Sequence, residues 1–364
     1  MNKKYINFVL TGDKNYVVQL AVVMTSILYN IKSTKYTPRF FLFTTDFSDK
    51  DIKLISKIKN FKDCEIVNFP MEKYLHYFKQ IDVSTFKLQY ISLATYFRLL
   101  MFKILPDDVD KCFYIDGDMI IDTDLSVLFD ELKDNQLASV VVEVLAMSNK
   151  EITLKHLNEI DDFERFAKNP WKYPYFNAGF GLYNIRRAKE LNLFEQMMDF
   201  LQRHPNPPYA DQDTLNAVVG QKYAELLNYV DPAYNIFCDI DYSDTFASKL
   251  YSKEVLKYAF DNPKIYHFAG GNKPWVNKNV RHFYDVWWRY CKMSPFAKYK
   301  PKKHKNVDYS VRLLDVIPFV RYKSNEHNTK FYLFGIPLYG VHKDNKRNQY
   351  RLFNLIPVFK TKKQ

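Results

Sequence analysis

Two aspartates flank a glycine at Asp116-Gly117-Asp118, directly after the apolar run Cys112–Ile115. On an extended segment residues i and i+2 point the same way. Two carboxylates then converge on one hard divalent cation, which can also bind a diphosphate. Gly117 lets the backbone come close to a ligand. The same residues between FYI and MII also read as the turn of a β-hairpin. The chain holds six D-x-D strings, at 49/51, 108/110, 116/118, 122/124, 211/213 and 239/241, so the motif decides nothing alone. His267 in KIYHFAGG is either a satisfied packing histidine or an imidazole ligand for a manganese-like ion. Gly270, Gly271 and Lys273 follow it. Backbone amides beside glycines plus one ammonium make a diphosphate clamp; the alternative is a tight loop with a solvated lysine.

The combination says more than its parts. Five blocks stand in order: TGDKNY near the first strand, TYFRLL on a helix, FYIDGDM, YFNAGFGLYNI followed by DQDTLN, and HFAGGNKPW. Over roughly residues 5–290 the sequence resembles the family-8 retaining glycosyltransferases, and among them the bacterial lipopolysaccharide galactosyl- and glucosyltransferases. The resemblance implies a GT-A type fold and transfer of a hexose, galactose or glucose, from a UDP-sugar to a surface glycan such as lipopolysaccharide or lipooligosaccharide core. It implies Mn2+ or Mg2+ as cofactor, held by Asp116, Asp118 and His267.

The resemblance also assigns the remaining site residues. Thr11 belongs to the donor contacts, and Asp13, Asn15 and Tyr16 hold the uridine, with Tyr16 against the base. Without the family, Asp13 and Asn15 form an Asx-type turn beside a packing tyrosine. Arg98 reaches the donor sugar and phosphates, or is a helix-surface arginine. Gly117 lies with Asp116 and Asp118 at the donor. Asn177 lines the sugar pocket, or is a polar group at a strand edge. Asp211 and Gln212 face the sugar at the reaction centre, or cap a helix, which Asp211 suits. Gly270 and Lys273 contact the β-phosphate. Gly12, Lys14 and Phe268 stand where the family often has alanine, an acidic residue and tyrosine, which touches base contacts and sugar preference but not the metal ligands. Retention in glycosidases commonly uses a carboxylate nucleophile. Gln212 is an amide and a poor one, which favours a front-face route in which a UDP oxygen takes the acceptor proton.

The elements that must position these residues follow from hydropathy. NFVL, RFFLFTTD, CEIVNF, CFYIDGDM, FNAGFGLYNI and KIYHFAGG read as strands. Helical spacing marks Val17–Tyr29, DIKLISKI, a long helix over Lys87–Ile104 ended by Pro106, AKELNLFEQMMDFLQRH stopped by Pro205, DQDTLNAVV with Asp211 as N-cap, and a helix holding Val280, Phe283, Trp287 and Tyr290. The charged stretch 140–175 reads as a helical lid or acceptor-side insertion. Strand–helix alternation predicts an α/β fold: a Rossmann-like, mostly parallel central sheet with helices on both faces, binding ligands at the carboxyl ends of its strands.

The texture changes near residue 300. Three similar strings, LLDVIPFVRYK, YLFGIPLYGVHK and RLFNLIPVFKTK, place prolines 318, 337 and 357 at spacings of 19 and 20. Residues 301–364 hold 14 Lys/Arg against 4 Asp/Glu, a net of +10, while the first 300 hold 39 against 37, a net of +2, so the basic character belongs to the tail. The chain therefore divides into a catalytic domain over 1–295 and a basic, aromatic, repeat-containing appendage over 296–364. That appendage is either a small β unit packed on the body or an anchor at an anionic membrane surface, two readings that are compatible. The body carries no basic stripe and no zinc-finger or RNA-binding signature, which excludes nucleic acid as the expected partner. Cys64, Cys112, Cys238 and Cys291 are isolated, which fits thiols in a reducing cytosol rather than disulfides or zinc. No apolar run is long enough to span a bilayer. The expected location is cytoplasmic, peripheral on the inner face of the cytoplasmic membrane. A self-glucosylating initiator like glycogenin, an inactive nucleotide-sugar binding protein and a nucleotidyltransferase are the competing readings.

Overall fold

The computed structural model describes residues 3–79, 81, 93–148, 155, 157, 160–240, 250–276 and 280–300, together with the backbone of six strands between 307 and 362. Among the described residues ten strands precede the tail. In chain order they are β1 (Tyr5–Gly12), β2 (Thr37–Thr44), β3 (Glu65–Pro70), β4 (Lys111–Ile115), β5 (Met119–Ile121), β6 (Ala138–Val142), β7 (Phe176–Asn184), β8 (Leu227–Tyr229), β9 (Ile236–Phe237) and β10 (Ile265–His267).

Seven of them form one sheet in the order β3-β2-β1-β4-β7-β6-β8. β1 pairs in parallel with β2 and β4, β2 with β3, and β6 with β8; β7 alone runs against its neighbours β4 and β6. The sheet is thus mostly parallel, and its strands are apolar on both faces, as strands covered from both sides must be. Alternation splits them into two hydrophobic clusters. Phe8, Phe40 and Phe113 pack with the helix Val17–Asn30, whereas Val9, Phe41 and Tyr114 pack with residues 96–102 and the helix Leu193–Arg203. Phe8 stacks on Phe40 and Phe113 at ring-centroid distances of 5.2 and 5.5 Å. This is the expected Rossmann-like architecture with helices on both faces.

Several local expectations change. In the predicted long helix over Lys87–Ile104, residues 87–92 lie outside the described residues; the rest is a 3-10 helix, Leu93–Leu100, and one α-turn, Met101–Ile104. The stretch 140–175 begins inside β6, a strand of the central sheet, before the helices Val144–Ser148 and Glu164–Lys168; residues 149–154, 156, 158 and 159 lie outside the described residues. AKELNLFEQMMDFLQRH is two helices, Ile185–Glu190 and Leu193–Arg203, broken at Asn192, whose φ of 52° leaves the right-handed helical region. The last helix is Tyr284–Met293; Phe283 precedes it with a φ of 60°, so Val280 and Phe283 are outside it.

β5, β10 and β9 form a second, three-stranded sheet, in which β10 runs antiparallel to β5 and parallel to β9. β4 and β5 therefore leave the Asp-Gly-Asp turn into different sheets. The hairpin reading of that turn is excluded, because its two flanking strands do not pair. All four cysteines are buried thiols. Among the described residues no helix is long and apolar enough to cross a membrane.

By compactness the chain divides into residues 1–274 with 278–299, and residues 275–277 with 300–364. The second unit is a meander of six antiparallel strands, β11 (Val307–Leu313), β12 (Ile317–Ser324), β13 (Asn328–Leu333), β14 (Ile336–Lys343), β15 (Arg347–Leu352) and β16 (Ile356–Lys362). The sequence repeat is a structural one. Pro318, Pro337 and Pro357 each stand second in their strand, opposite Arg312, Tyr332 and Arg351, and the register shifts immediately before each of these partners. A bulge is where a strand accepts a residue that cannot donate a ladder hydrogen bond.

Candidate divalent-metal and sugar-nucleotide site

The carboxyl ends of β1 and β4 and the amino end of the reversed β7 meet at one edge of the central sheet. Above that edge lies a cleft of about 730 Å3. Of the residues singled out from the sequence, Thr11, Asp13, Tyr16, Arg98, Asp116, Gly117, Asp118, Asn177, Asp211, Gln212, His267, Gly270 and Lys273 all line it. Asn15 is the exception among them. It is exposed, and its backbone N–H donates to Asp13 Oδ1 at 2.8 Å while Tyr16 N–H donates to Asp13 O at 2.8 Å. The Asx-type turn is therefore real, and it sets Asp13 and Tyr16 at the wall but not Asn15.

Asp116 and Asp118 are not on an extended segment. Met119 N–H donates to Asp116 O at 3.2 Å, so residues 116–118 turn. The turn brings the two carboxylates together where a pleat was expected to. Next to it, β10 pairs with β5 so that His267 stands opposite Met119, and Phe268 N–H donates to Asp118 O at 2.9 Å. Ligand atoms of Asp116, Asp118 and His267 then lie within 4.8 Å of one another. Gly117 makes room for Tyr16 rather than for a ligand: a Cβ there would sit 2.9 Å from Tyr16 Cδ1 and 3.0 Å from Leu20 Cδ2. Burial, with Asp118, Asp116 and Asp13 close by, holds the Tyr16 phenol well above its ordinary pKa.

The donor chemistry of this cluster fits a divalent cation. Asp118 Oδ1 is buried without a hydrogen-bond partner, 3.4 Å from His267 Nε2. Asp118 Oδ2 accepts from Lys273 Nζ at 2.5 Å, and the same ammonium donates to Phe268 O at 2.6 Å. Burial alone would raise the Asp118 carboxyl, but the adjoining Lys273 ammonium holds it well below the usual carboxylate range, so it remains an anion. Gly270 has a φ of 79°, a left-handed backbone that glycine adopts without strain.

Arg98, which also lines the cleft, ties three elements together. Its Nη2 donates to Asp116 Oδ1 at 2.9 Å and its Nη1 to Ala178 O at 2.6 Å. Nε donates to Thr95 O at 3.0 Å and lies 2.8 Å from Asp211 Oδ2, an ion pair rather than a hydrogen bond. The guanidinium sits 4.3 Å over the Tyr114 ring, and Tyr114 links Thr11 to Asp116 through hydroxyl bonds of 2.9 and 2.8 Å. Arg98 is a buried strut, not a helix-surface arginine.

Asp211 does not cap its helix. The helix is Ala210–Leu215, its N-cap is Tyr209, and Asp213 Oδ2 accepts from Tyr209 N–H at 2.8 Å. Asp211 instead faces Arg98 from a buried position. Burial pushes its carboxyl up to about 7, with Arg98 pulling it down and Asp116 adding to the rise. Gln212 Oε1 accepts from Ala178 N–H at 2.9 Å and from Asn177 Nδ2 at 3.2 Å.

Two residues of this wall escaped the sequence reading. Glu143 is 6% exposed, lines the cleft and accepts from Asn177 Nδ2 at 2.5 Å; burial raises its pKa. Its signal was a carboxylate closing the apolar run ASVVV. Gly179 lies beneath the cluster, where a Cβ would be 2.7 Å from Asp116 Oδ2, 2.8 Å from Met119 Cε and 2.9 Å from His267 Cε1. A glycine inside a strand often marks such a close approach. If the cluster holds a divalent cation, Gly179→Ala is expected to push Asp116 and His267 apart and weaken that binding about 10–100-fold, the range typical when groups supporting a metal site are disturbed. Calorimetric titration with Mn2+ in the presence of UDP checks this.

An open, mostly parallel sheet with a carboxylate pair and an imidazole gathered at its ligand-binding edge is the layout of a GT-A glycosyltransferase. The profile of glycosyl transferase family 8 matches residues 7–279, and the chain belongs to that family. General stress protein A of Bacillus subtilis (strain 168) is 25% identical over 294 residues, which cover 78% of this chain and 92% of that protein. A lipopolysaccharide 1,2-glucosyltransferase of Escherichia coli is 26% identical over 324 residues, covering 83% and 86%. The structure of galactosyltransferase LgtC in complex with donor and acceptor sugar analogs superposes with a TM-score of 0.61 at 17% identity, covering 79% of this chain and 96% of that one, a likeness of fold.

Proposed function

We propose that this family-8 glycosyltransferase moves a hexose, galactose or glucose, from a UDP-sugar to a bacterial surface glycan such as lipopolysaccharide core, with retention of anomeric configuration. The observation that carries the reading is the convergence of Asp116, Asp118 and His267 within 4.8 Å in a cleft that Asn177, Asp211 and Gln212 also line. The E. coli glucosyltransferase relative supports the glycan class.

In this reading Asp116, Asp118 and His267 hold Mn2+ or Mg2+, which supplies Lewis-acid neutralisation of charge on a departing diphosphate. Tyr16 and Asp13 receive the uridine at the end of β1. Lys273 and the Gly270 backbone stabilise negative charge on the diphosphate from fixed positions. Asn177, Glu143 and Gln212 orient the sugar. Gln212 Oε1 already holds two donors, Ala178 N–H and Asn177 Nδ2, which leaves it a poor nucleophile. Transfer then runs on the front face. The bond from the anomeric carbon to the UDP oxygen breaks, the acceptor oxygen bonds to that carbon, and its proton passes to the leaving phosphate oxygen. A glycosyl–Asp211 adduct trapped and seen by mass spectrometry would replace this route by a double displacement.

The basic appendage over 296–364 contacts an anionic membrane surface in this reading. Its excess of Lys/Arg supports that, each surface-near basic residue contributing about 1 kcal/mol. The catalytic domain over 1–295 then works on the inner face of the cytoplasmic membrane.

UDP release from a panel of UDP-sugars, with Mn2+ and with EDTA, tests the assignment. One UDP-hexose is expected to turn over and to need metal. No binding or hydrolysis of any UDP-sugar under any metal condition would sink it.

A further inference from the structure

We infer that Asn235 is a positioning residue for the metal centre, fixing His267 in the tautomer that presents an unprotonated Nε2 toward Asp118. The inference rests on the divalent-ion reading above. His267 is 4% exposed, and its Nδ1 lies 2.8 Å from Asn235 Oδ1. An amide oxygen only accepts, so the single proton of a neutral imidazole sits on Nδ1. Nε2 then carries a lone pair, and it faces Asp118 Oδ1 at 3.4 Å, a buried oxygen that takes no hydrogen bond. Two buried lone pairs so placed repel each other unless a cation lies between them, and the Asp116 carboxylate stands within reach of the same point.

The backbone shows how Asn235 is brought there. It closes the 3-10 turn Pro232–Tyr234, with its N–H donating to Pro232 O at 3.0 Å, and it immediately precedes β9. β9 pairs with β10, Phe237 opposite His267, and Cys238 N–H donates to His267 O at 2.9 Å. One short ladder thus carries both the imidazole and its acceptor. Phe237 packs on the His267 ring at 5.2 Å and limits its rotation.

The remaining amide group gives the argument its direction. Asn235 is 2% exposed, and its Nδ2 is buried without a hydrogen-bond partner. A buried donor left unpaired is costly to keep, so the side chain is held in place by what its oxygen does. The reverse amide orientation would put Nδ2 against Nδ1 and move the imidazole proton to Nε2, closing the position a cation would use. An aspartate separates the two arrangements, because it is nearly isosteric and can only accept.

The test uses the full chain, wild type against Asn235→Asp and Asn235→Leu, titrated calorimetrically with Mn2+ in the presence of UDP. Long-range 1H–15N spectra of the metal-free proteins report the protonated ring nitrogen of His267. Asn235→Leu is expected to weaken Mn2+ binding about 10–100-fold. Asn235→Asp should bind at least as tightly as wild type, with the proton on Nδ1 in both. Wild-type affinity in Asn235→Leu overturns the proposal alone. So does an Asn235→Asp protein that folds, by its melting temperature in EDTA, yet loses as much affinity as the leucine variant. A wild-type protein that binds no Mn2+ overturns the metal reading and this proposal with it.

Discussion

Asp118→Ala is expected to lower kcat/KM for UDP-sugar turnover by about 10^3-fold, and EDTA to do the same to the wild-type protein. In the proposed reading the carboxylate serves the cation and the diphosphate together: one oxygen faces His267 Nε2 at 3.4 Å and the other holds Lys273 Nζ at 2.5 Å. Under that reading, removing it takes away an anionic metal ligand and one acceptor of the ammonium, while Lys273 still donates to Phe268 O. The Lewis-acid contribution of a bound metal is several kcal/mol, and each ~1.4 kcal/mol is a factor of ten in rate, so a loss of about 4 kcal/mol gives the thousandfold figure. The variant should still fold. The link between β5 and β10 at this point runs through the Asp118 carbonyl, which accepts from Phe268 N–H at 2.9 Å and does not involve the side chain. UDP release with added Mn2+ and an unchanged circular dichroism spectrum check both halves. Activity within about tenfold of wild type would remove Asp118, and the metal reading with it, from the mechanism.

How much of this site could be seen in the sequence depends on which physical quantity wrote the signal. The apolar periods of β1, β2 and Val17–Asn30 are strong, and the structure follows them within a residue or two. Cleft-lining residues in the five ordered blocks were legible through the family resemblance, because chemistry restricts residue type there. Orientation and pairing were not. β7 has the composition of any buried strand, and nothing in FNAGFGLYN reveals that it runs against β4 and β6. Asp211 looks like an N-cap by type and position, yet its partner is Arg98, more than a hundred residues earlier in the chain. The break at Asn192 comes from one left-handed residue inside a continuous amphipathic pattern. Glu143, Gly179 and Asn235 act through contacts at atomic range, and a lone Glu, Gly or Asn carries no period. The Asp-Gly-Asp turn shows both sides: its residue types left a cation site and a hairpin turn open, while the geometry that joins the carboxylates is a turn between two sheets.

Arg98→Met is expected to cost about 3–5 kcal/mol of stability, the range seen when one partner of a buried ion pair is removed, and to lower Tm by roughly 10 °C. The guanidinium side chain is 7% exposed and stands between Asp116 and Asp211, at 2.9 and 2.8 Å, while donating to the carbonyls of Ala178 and Thr95. A thioether fills the volume but leaves two carbonyls without a donor and two carboxylates without a cation. The pH dependence follows with a definite sign. Burial already pushes Asp211 up to about 7 although Arg98 pulls it down, so without Arg98 its carboxyl rises further. A carboxyl that is harder to ionise in the folded chain than in the unfolded one binds more protons when folded. Its stabilising contribution is full below the unfolded value near ~4 and is lost as pH rises through the folded value. The variant should therefore lose stability more steeply than wild type between about pH 6 and pH 8.5, as measured by thermal unfolding at both ends. Arg98→Lys separates charge from geometry. One ammonium restores the positive charge but cannot reach Asp116, Asp211 and Ala178 O together as the planar fork does. It should recover part of the lost stability and little of the UDP-sugar turnover. A lysine variant with wild-type turnover would reduce Arg98 to a counter-charge, and a methionine variant within 1 kcal/mol of wild type (about 3 °C in Tm) would remove it as the strut between the two walls.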